Sequence, residues 1–271
     1  MCKLIAAATV AILLALPSRA AHAADAAVPA VNGFVPAAPT LSVVGTISPT
    51  WTDNVFFSRD NRVSDFYLEP DVSVRLDGRL SPDLGWRIYA RTEINRFARV
   101  REGDEAFALV GGRLTQSVND WRLSLTYENR YVYDGVFQDL AFIAHDVMGS
   151  ITRTFNVTDD LTLSPFIQAR HRFADLAEAR QYRLELVLGI EYKLTPRWSI
   201  VSTPFVEGYW FTDGLNTGRR DWIYSGSLGL KYNISDSVSL TGNAAYEART
   251  SNMPLRHYQS WEIGPKLSFA F

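Results

Sequence analysis

The residues with the clearest capacity for chemistry are charged side chains that recur at every second position. In residues 66–77, for example, Glu69, Asp71 and Arg75 alternate with apolar side chains. Acids and bases on one face of a strand can surround a water-filled pore and select solutes, or can pair with one another and close it. The predicted pore-lining residues in this polar phase are Arg75, Arg87, Arg91, Glu93, Arg122, Glu128, Arg130, Arg170, Arg172, Arg183, Glu185, Glu207, Lys231, Glu247 and Arg249.

Further charged residues share the same phase, and both signs are well represented. They are Asp65, Glu69, Asp71, Glu191, Lys193, Glu262 and Lys266. Two interpretations stay open: a pore lined by rings of charge, or a narrow interior that is cross-braced by salt bridges. Arginines are densest in residues 86–130 and 170–183, so we expect one basic wall that would favour small anionic solutes.

Catalysis is not predicted. The histidines beyond residue 23 lie in the triplets His145-Asp146-Val147, His171-Arg172-Phe173 and His257-Tyr258-Gln259. None has the His-x-Ser spacing of a nucleophilic site, and two adjacent residues of a strand point to opposite faces. Glycine-rich phosphate loops, zinc-ligand spacing and calcium-loop patterns are also lacking. We therefore expect no enzymatic activity, no cofactor and no metal site.

The elements that must position the charged residues are β-strands. The alternation of residues 66–77 recurs at residues 86–95, 121–130, 161–173, 182–194, 222–234 and 238–249. Beyond residue 16, no run approaches the roughly 18 consecutive apolar residues of a membrane helix. The mean hydropathy of -0.06 suits strands with one apolar and one polar face.

Tight turns alternate with longer connections along the chain. The turns lie at residues 81–83, 118–120, 158–160, 195–197 and 235–237, and the longer, charged connections at 59–62, 101–104, 134–138, 175–180, 213–220 and 251–256. Together they join about twelve strands, an even number, so both chain ends fall on the tight-turn side. The loops are short, and we expect none of them to fold into the interior as a constriction.

Two bands of aromatic residues flank the aliphatic part of the apolar face. Beside the tight turns are Trp86, Trp121, Trp198, Tyr192 and Tyr232, and beside the loops are Trp51, Tyr131, Trp210, Trp222 and Trp261. Membrane interfaces favour Trp and Tyr, whereas a soluble sandwich has no need of such bands. The predicted fold class is therefore all-β: a transmembrane, antiparallel, up-and-down β-barrel of about 12 strands.

The first residues have the order of a secretory signal peptide. Lys3 precedes an apolar run that ends at Leu16, and small residues surround Ala23. We assign residues 1–23 to the signal peptide, 24–40 to an Ala/Pro-rich periplasmic lead-in and 41–271 to the barrel. The single cysteine, Cys2, falls in the signal peptide. A formal net charge of -2 gives no electrostatic bias toward nucleic acid.

The last predicted strand resembles a known class. Ile263, Pro265, Leu267, Phe269 and Phe271 alternate with smaller or more polar residues. This pattern resembles the terminal strand of Gram-negative outer-membrane β-barrel proteins, whose last aromatic residue helps the barrel-assembly machinery to recognise them. Phe269 and Phe271 would be that assembly signal here. Residues 51–56, Trp-Thr-Asp-Asn-Val-Phe, are similar to a segment of uncharacterised β-barrel porin families.

The resemblance implies a location in the bacterial outer membrane, with its lipid, its lipopolysaccharide and the assembly machinery as partners. The leading functional hypothesis is a passive, porin-like channel for small solutes, with anions favoured. The first alternative is a non-conducting structural or accessory barrel that serves polysaccharide or lipid export. An outer-membrane lipid hydrolase is the least favoured hypothesis, because the catalytic spacing is missing.

Two local features lead to further predictions. His145 and His171 fall on consecutive strands. They could form a metal pair, contact lipopolysaccharide phosphate, or be rim residues without a ligand, and we favour the last of these three. Prolines within predicted strands lack the N–H that a ladder needs, so each should mark a bulge or a local bend. These prolines are Pro49, Pro70, Pro165, Pro204 and Pro265.

Overall fold

The computed structural model describes residues 38–271, and most of this range is β-strand. The strands are β1 (Thr40–Thr52), β2 (Asp65–Arg79), β3 (Leu84–Phe97), β4 (Glu105–Val118), β5 (Trp121–Asp134), β6 (Asp139–Arg153), β7 (Phe155–Asn156), β8 (Leu161–Ala174), β9 (Gln181–Lys193), β10 (Trp198–Ser202), β11 (Phe205–Phe211), β12 (Arg220–Asn233), β13 (Val238–Ser251) and β14 (Tyr258–Ala270). The predicted signal peptide (1–23) and residues 24–37 of the lead-in lie outside the described residues. Within residues 38–271, no helix is long and apolar enough to cross a membrane.

The sheet closes on itself. Neighbouring strands pair antiparallel, and β1 pairs with both β2 and β14. β6 and β7 lie end to end along one edge of β8, and β10 and β11 lie end to end between β9 and β12. The fourteen segments therefore form a closed barrel of 12 antiparallel strands, and the predicted fold class is confirmed. Closure leaves no unpaired sheet edge.

The two ends of the barrel differ in their connections. At the end that holds Thr40 and Phe271, short turns join β2–β3, β4–β5, β7–β8, β9–β10 and β12–β13; we call this the turn end. The opposite end, the loop end, has six connections, all longer than the turns except the one between β5 and β6. Four of them carry short 3-10 helices, at Arg101–Gly103, Ala177–Ala179, Gly214–Asn216 and Pro254–Arg256. Asn119 has φ 54°, a left-handed conformation that a two-residue hairpin turn needs and that Asn tolerates. The predicted alternation of turns and loops is confirmed.

Alternation along each strand places apolar side chains outside and polar side chains inside. On β2, Phe66, Leu68 and Val74 are exposed, whereas Glu69 and Asp71 are buried. This is the reverse of a soluble protein, and it suits a wall with lipid on its outer face. The hydrophobic effect therefore acts between the barrel and the bilayer, while ion pairs and hydrogen bonds occupy the interior.

Both predicted aromatic bands lie on the outer face, and several of their rings contact one another across strands. At the turn end, the ring centroids of Trp198 and Tyr232 are 4.7 Å apart. At the loop end, those of Trp210 and Trp222 are 5.7 Å apart in an edge-to-face arrangement. Amphipathic rings at these two levels match the two interfaces of a bilayer.

The strand prolines interrupt the hydrogen-bonded ladder without shifting its register. β10 ends and β11 begins on either side of Pro204, and the break between β6 and β7 faces Pro165. Pairing of β1 with β14 stops over Ser48–Thr50, around Pro49 and Pro265. The register before and after each break is the same, so the predicted bulges are not found there. A register shift occurs instead between β5 and β6, where no proline lies.

Candidate functional site

All the residues predicted to line a pore lie on the inner face of the barrel, and they divide along its axis. Arg75, Arg87, Arg122 and Lys231, toward the turn end, keep partial exposure to solvent. The others lie nearer the loop end, and they are buried or almost so. The interior therefore has a more open half beside the turns and a packed half beneath the loops.

Asp146 on β6 is the centre of a buried arginine cluster in the packed half. Its side chain has no exposure, and Arg172 donates a hydrogen bond of 2.8 Å to each of its two oxygens. The guanidinium groups of Arg170 and Arg130 lie 3.7 and 3.8 Å from the same carboxylate. Arg130 also pairs with Glu128 at 3.2 Å. Asp146 thus offsets part of the cost of removing three arginines from water, and Glu128 adds a second negative charge beside Arg130.

Similar ion pairs continue around the wall. On β3, Arg91 lies 2.8 Å from Asp71 and 2.5 Å from Glu93. On β9, Arg183 donates to Glu207 of β11, with both side chains buried. Such contacts tie neighbouring strands together across the inner surface. In this half of the barrel, the arrangement favours the cross-braced interpretation over one of water-filled charge rings.

Apolar side chains also enter the packed half, where the alternation pattern predicts polar ones. A buried cluster reaches from β3 to the β8–β9 loop and comprises Tyr89, Phe107, Leu109, Val132, Phe142, Ala144, Ala174 and Ala179. The Arg130 guanidinium lies 4.3 Å from the centroid of the Phe107 ring, a cation–π contact. A second cluster comprises Tyr209, Phe211 and Ile223. These side chains narrow the interior beneath the loops.

The loops fold over this end, so the expectation that none would enter the interior is wrong. Val55 of the β1–β2 loop is buried against the inward-facing Tyr67 and Phe97. Arg219, at the end of the β11–β12 loop, is fully buried and donates to both carboxylate oxygens of Asp221. Short loops can cover the mouth because their apolar and paired polar side chains find partners on the inner wall.

The open half carries an arc of positive charge, formed by Arg75, Arg87, Arg113 and Arg122 on the adjacent strands β2 to β5. Arg75 and Arg113 donate to neighbouring hydroxyl oxygens at 3.3 and 3.1 Å. Arg87 pairs with Asp77 at 2.7 Å. We call these four residues the basic arc. Three of them, Arg87, Arg113 and Arg122, fall within residues 86–130, where the sequence predicts part of a basic wall.

A cavity of about 160 Å³ lies on the opposite wall of the barrel. Its charged lining residues are Glu69, Glu185, Glu207, Glu247, Glu262 and Lys266. Its serine, threonine and asparagine lining residues are Ser48, Thr50, Thr203, Ser225, Ser227, Asn243 and Ser260. The cavity therefore has an excess of carboxylates, whereas the basic arc has an excess of arginines. The basic arc and the cavity therefore differ in the sign of their fixed charge.

His145 and His171 lie on the outer face of adjacent strands but interact with aromatic residues and not with each other. His145 Nδ1 is 2.8 Å from the hydroxyl oxygen of Tyr127. His171 stacks on Tyr182, with ring centroids 4.2 Å apart. Among residues 38–271, no group of three or more His, Cys, Asp or Glu side chains is placed to hold a metal ion. The arrangement fits rim residues of the aromatic belt.

No protein-family model and no curated protein sequence matches the chain. Solved structures do match it. An outer membrane channel from Pseudomonas putida F1 aligns over 90% of this chain and 100% of its own, with a TM-score of 0.55 and 11% sequence identity. A bacterial polysaccharide outer membrane secretin aligns over 88% of this chain and 100% of its own, with a TM-score of 0.50 and 12% identity.

The chain has the fold of an outer-membrane β-barrel. A location in the bacterial outer membrane agrees with this fold. Outer-membrane barrels have their short turns on the periplasmic side, which corresponds to the turn end here. The basic arc then lies in the periplasmic half of the interior, and the buried ion pairs lie in the extracellular half.

Some interior residues are not found by sequence reasoning. The triplet pattern singles out Asp146 only as a neighbour of His145, although the inward phase of β6 contains it together with Phe142 and Met148. Phe107 and Leu109 are also inward, but an apolar residue in that phase cannot be told from a lipid-facing one by alternation alone. The cavity depends on packing between distant strands, which no local pattern reports.

Proposed function

We propose that the protein is a porin-like, passive channel for small polar solutes, with anions favoured at its periplasmic entrance. The basic arc is the observation that carries this proposal, since it places four arginines on adjacent strands inside a closed barrel. Fixed positive charge in a low-dielectric wall raises the local concentration of anions and lowers that of cations. No chemical step on the solute is part of the proposal.

The packed extracellular half sets the expected size of the conductance. Asp146, Arg170 and Arg183 are at most 5% exposed, and Phe107 and the β1–β2 loop add bulk at the same end. A narrow, polar passage of this kind admits small ions and small solutes and excludes large ones. We therefore expect unit conductance well below that of a wide general porin.

The experiment is single-channel recording of the purified protein in a planar lipid bilayer. Reversal potentials in a potassium chloride gradient should show anion preference. The double variant Arg75→Gln/Arg122→Gln should lose that preference, because it removes two charges of the basic arc. Arg153→Gln is the matched control. Arg153 pairs with Asp120 at 2.7 Å and lies beside the outward-facing ring of Trp121, so its removal takes a positive charge from the outer face and not from the interior. Cation preference in the parent protein would refute the proposed selectivity.

The second candidate is a non-conducting accessory barrel. The observation in its favour is the set of fully buried ion pairs, such as Arg219 with Asp221, beneath the loops. A barrel whose extracellular half stays sealed would give no current at any voltage. Persistent silence of correctly folded protein would therefore favour this function and exclude the channel.

A further inference from the structure

The cavity contains two groups of opposite charge that do not contact each other. Glu69 of β2 lines the cavity and is 8% exposed. Lys266 of β14 lines the same cavity. Within residues 38–271, neither side chain forms a hydrogen bond or an ion pair. A carboxylate that is largely removed from water without a partner is costly. A ligand with a positive group beside Glu69 and a negative group beside Lys266 would therefore be stabilised in the cavity.

The strand register shows how the two groups are spaced. Glu69 pairs with Ser48 of β1, and Ile47 pairs with Leu267, which places Lys266 on the other side of Ser48. Glu69 and Lys266 are therefore two strand spacings apart, or about 10 Å between backbones. Both side chains point inward, and the Ser48 hydroxyl lies between them at the cavity wall.

The other acids of the cavity already have partners. Glu207 accepts hydrogen bonds from Arg183 and Tyr209, and Glu247 accepts one from Tyr258. These contacts hold the carboxylates against the wall. Glu69 is different because, among residues 38–271, no group donates a hydrogen bond to its carboxylate at the cavity.

We propose that this cavity binds a small amphoteric solute, whose ammonium group contacts Glu69 and whose carboxylate contacts Lys266. The volume of about 160 Å³ resembles that of an engineered cavity of about 150 Å³ that holds benzene, so the ligand has on the order of seven non-hydrogen atoms. An ω-amino carboxylate such as 4-aminobutyrate has this size and both charges. The site rests on the proposed function only for the route by which the solute reaches the cavity.

The test is equilibrium binding of labelled 4-aminobutyrate to the purified barrel in detergent. Butyrate and butylamine are the matched probes, because each lacks one of the two charged groups. Both should bind at least tenfold more weakly than 4-aminobutyrate. Glu69→Gln and Lys266→Gln should each weaken 4-aminobutyrate binding at least tenfold, since each removes one charge-assisted contact.

Two control variants separate local contacts from the general field of the interior. Glu105→Gln removes an inward acid at the start of β4, and Lys193→Gln removes a base at the end of β9; neither residue lines the cavity. Both should bind 4-aminobutyrate as the parent does. Equal binding of butylamine, absence of 4-aminobutyrate binding, or equal weakening by the control variants would each overturn the proposal.

Conductance of the same preparation keeps this proposal separate from the proposed function. A barrel that conducts but does not bind 4-aminobutyrate overturns the site alone. A barrel that binds it but stays silent in a bilayer overturns the channel alone. If Glu69→Gln fails to fold, the comparison of the three probes on the parent protein still decides the question.

Discussion

Replacing Asp146 by Asn tests whether the extracellular half of the interior is dry. The substitution keeps the shape of the side chain but removes the charge that faces Arg172, Arg170 and Arg130. The two hydrogen bonds of 2.8 Å from Arg172 lose their charged acceptor. The three guanidinium groups then surround an uncharged side chain at a position that has no exposure to solvent. Removing one partner of a buried ion pair costs about 3–5 kcal/mol. We expect a loss of that size in the free energy of unfolding.

Asp120→Asn is the matched control for this measurement. Asp120 pairs with Arg153 at 2.7 Å, a distance as short as those at Asp146, but its side chain is 69% exposed. An exposed pair contributes at most about 1 kcal/mol. The assay is urea unfolding of the protein in lipid vesicles, followed by tryptophan fluorescence. Equal losses for the two variants would refute our reasoning, because they would mean that water screens Asp146 as well as it screens Asp120.

Three more substitutions test other parts of the structure. Gly264→Ala would place a Cβ atom against the backbone oxygen of Pro49 in β1 and should cost about 1–3 kcal/mol. Gly242→Ala meets nothing within 4 Å and should be neutral, and denaturant midpoints of the two variants decide this. Phe107→Ala should destabilise the barrel by about 3–5 kcal/mol and raise its unit conductance, and an unchanged conductance would place the constriction elsewhere. The double variant His145→Ala/His171→Ala should leave conductance unchanged because both rings lie on the outer face, so a changed conductance would contradict that position.

The architecture was predictable from the sequence because a barrel wall repeats a simple physical rule. Each strand must present apolar residues to lipid at every second position, as Phe66, Leu68 and Val74 do on β2. Turn residues then mark where each strand ends. The aromatic residues Trp198 and Trp222 indicate where along the barrel axis the two membrane interfaces lie. These signals are local, so they can be recognised in the sequence before the pairing of the strands is known.

The arrangement of the interior was less predictable because it depends on register and on packing between strands. The phase of Arg172 showed that its side chain points inward, but its pairing with Asp146 follows from the alignment of β6 with β8. Phe107 points inward against the expected polarity, since it packs with other apolar residues beneath the loops. The cavity needs strands as distant in sequence as β1 and β12. Local periodicity contains none of this information.

The gap in pairing between β1 and β14 has a consequence for how the barrel comes apart. These strands join the two ends of the described chain, yet their ladder stops over Ser48–Thr50, whereas β1 pairs with β2 along its whole length. The contact that closes the cylinder is thus less continuous than the one beside it, and it links residues more than 200 positions apart. Such a contact forms late because the chain must first lose the entropy of a very long loop. The wall should therefore split along this line first, and amide hydrogens of β1 that face β14 should exchange with solvent sooner than those that face β2.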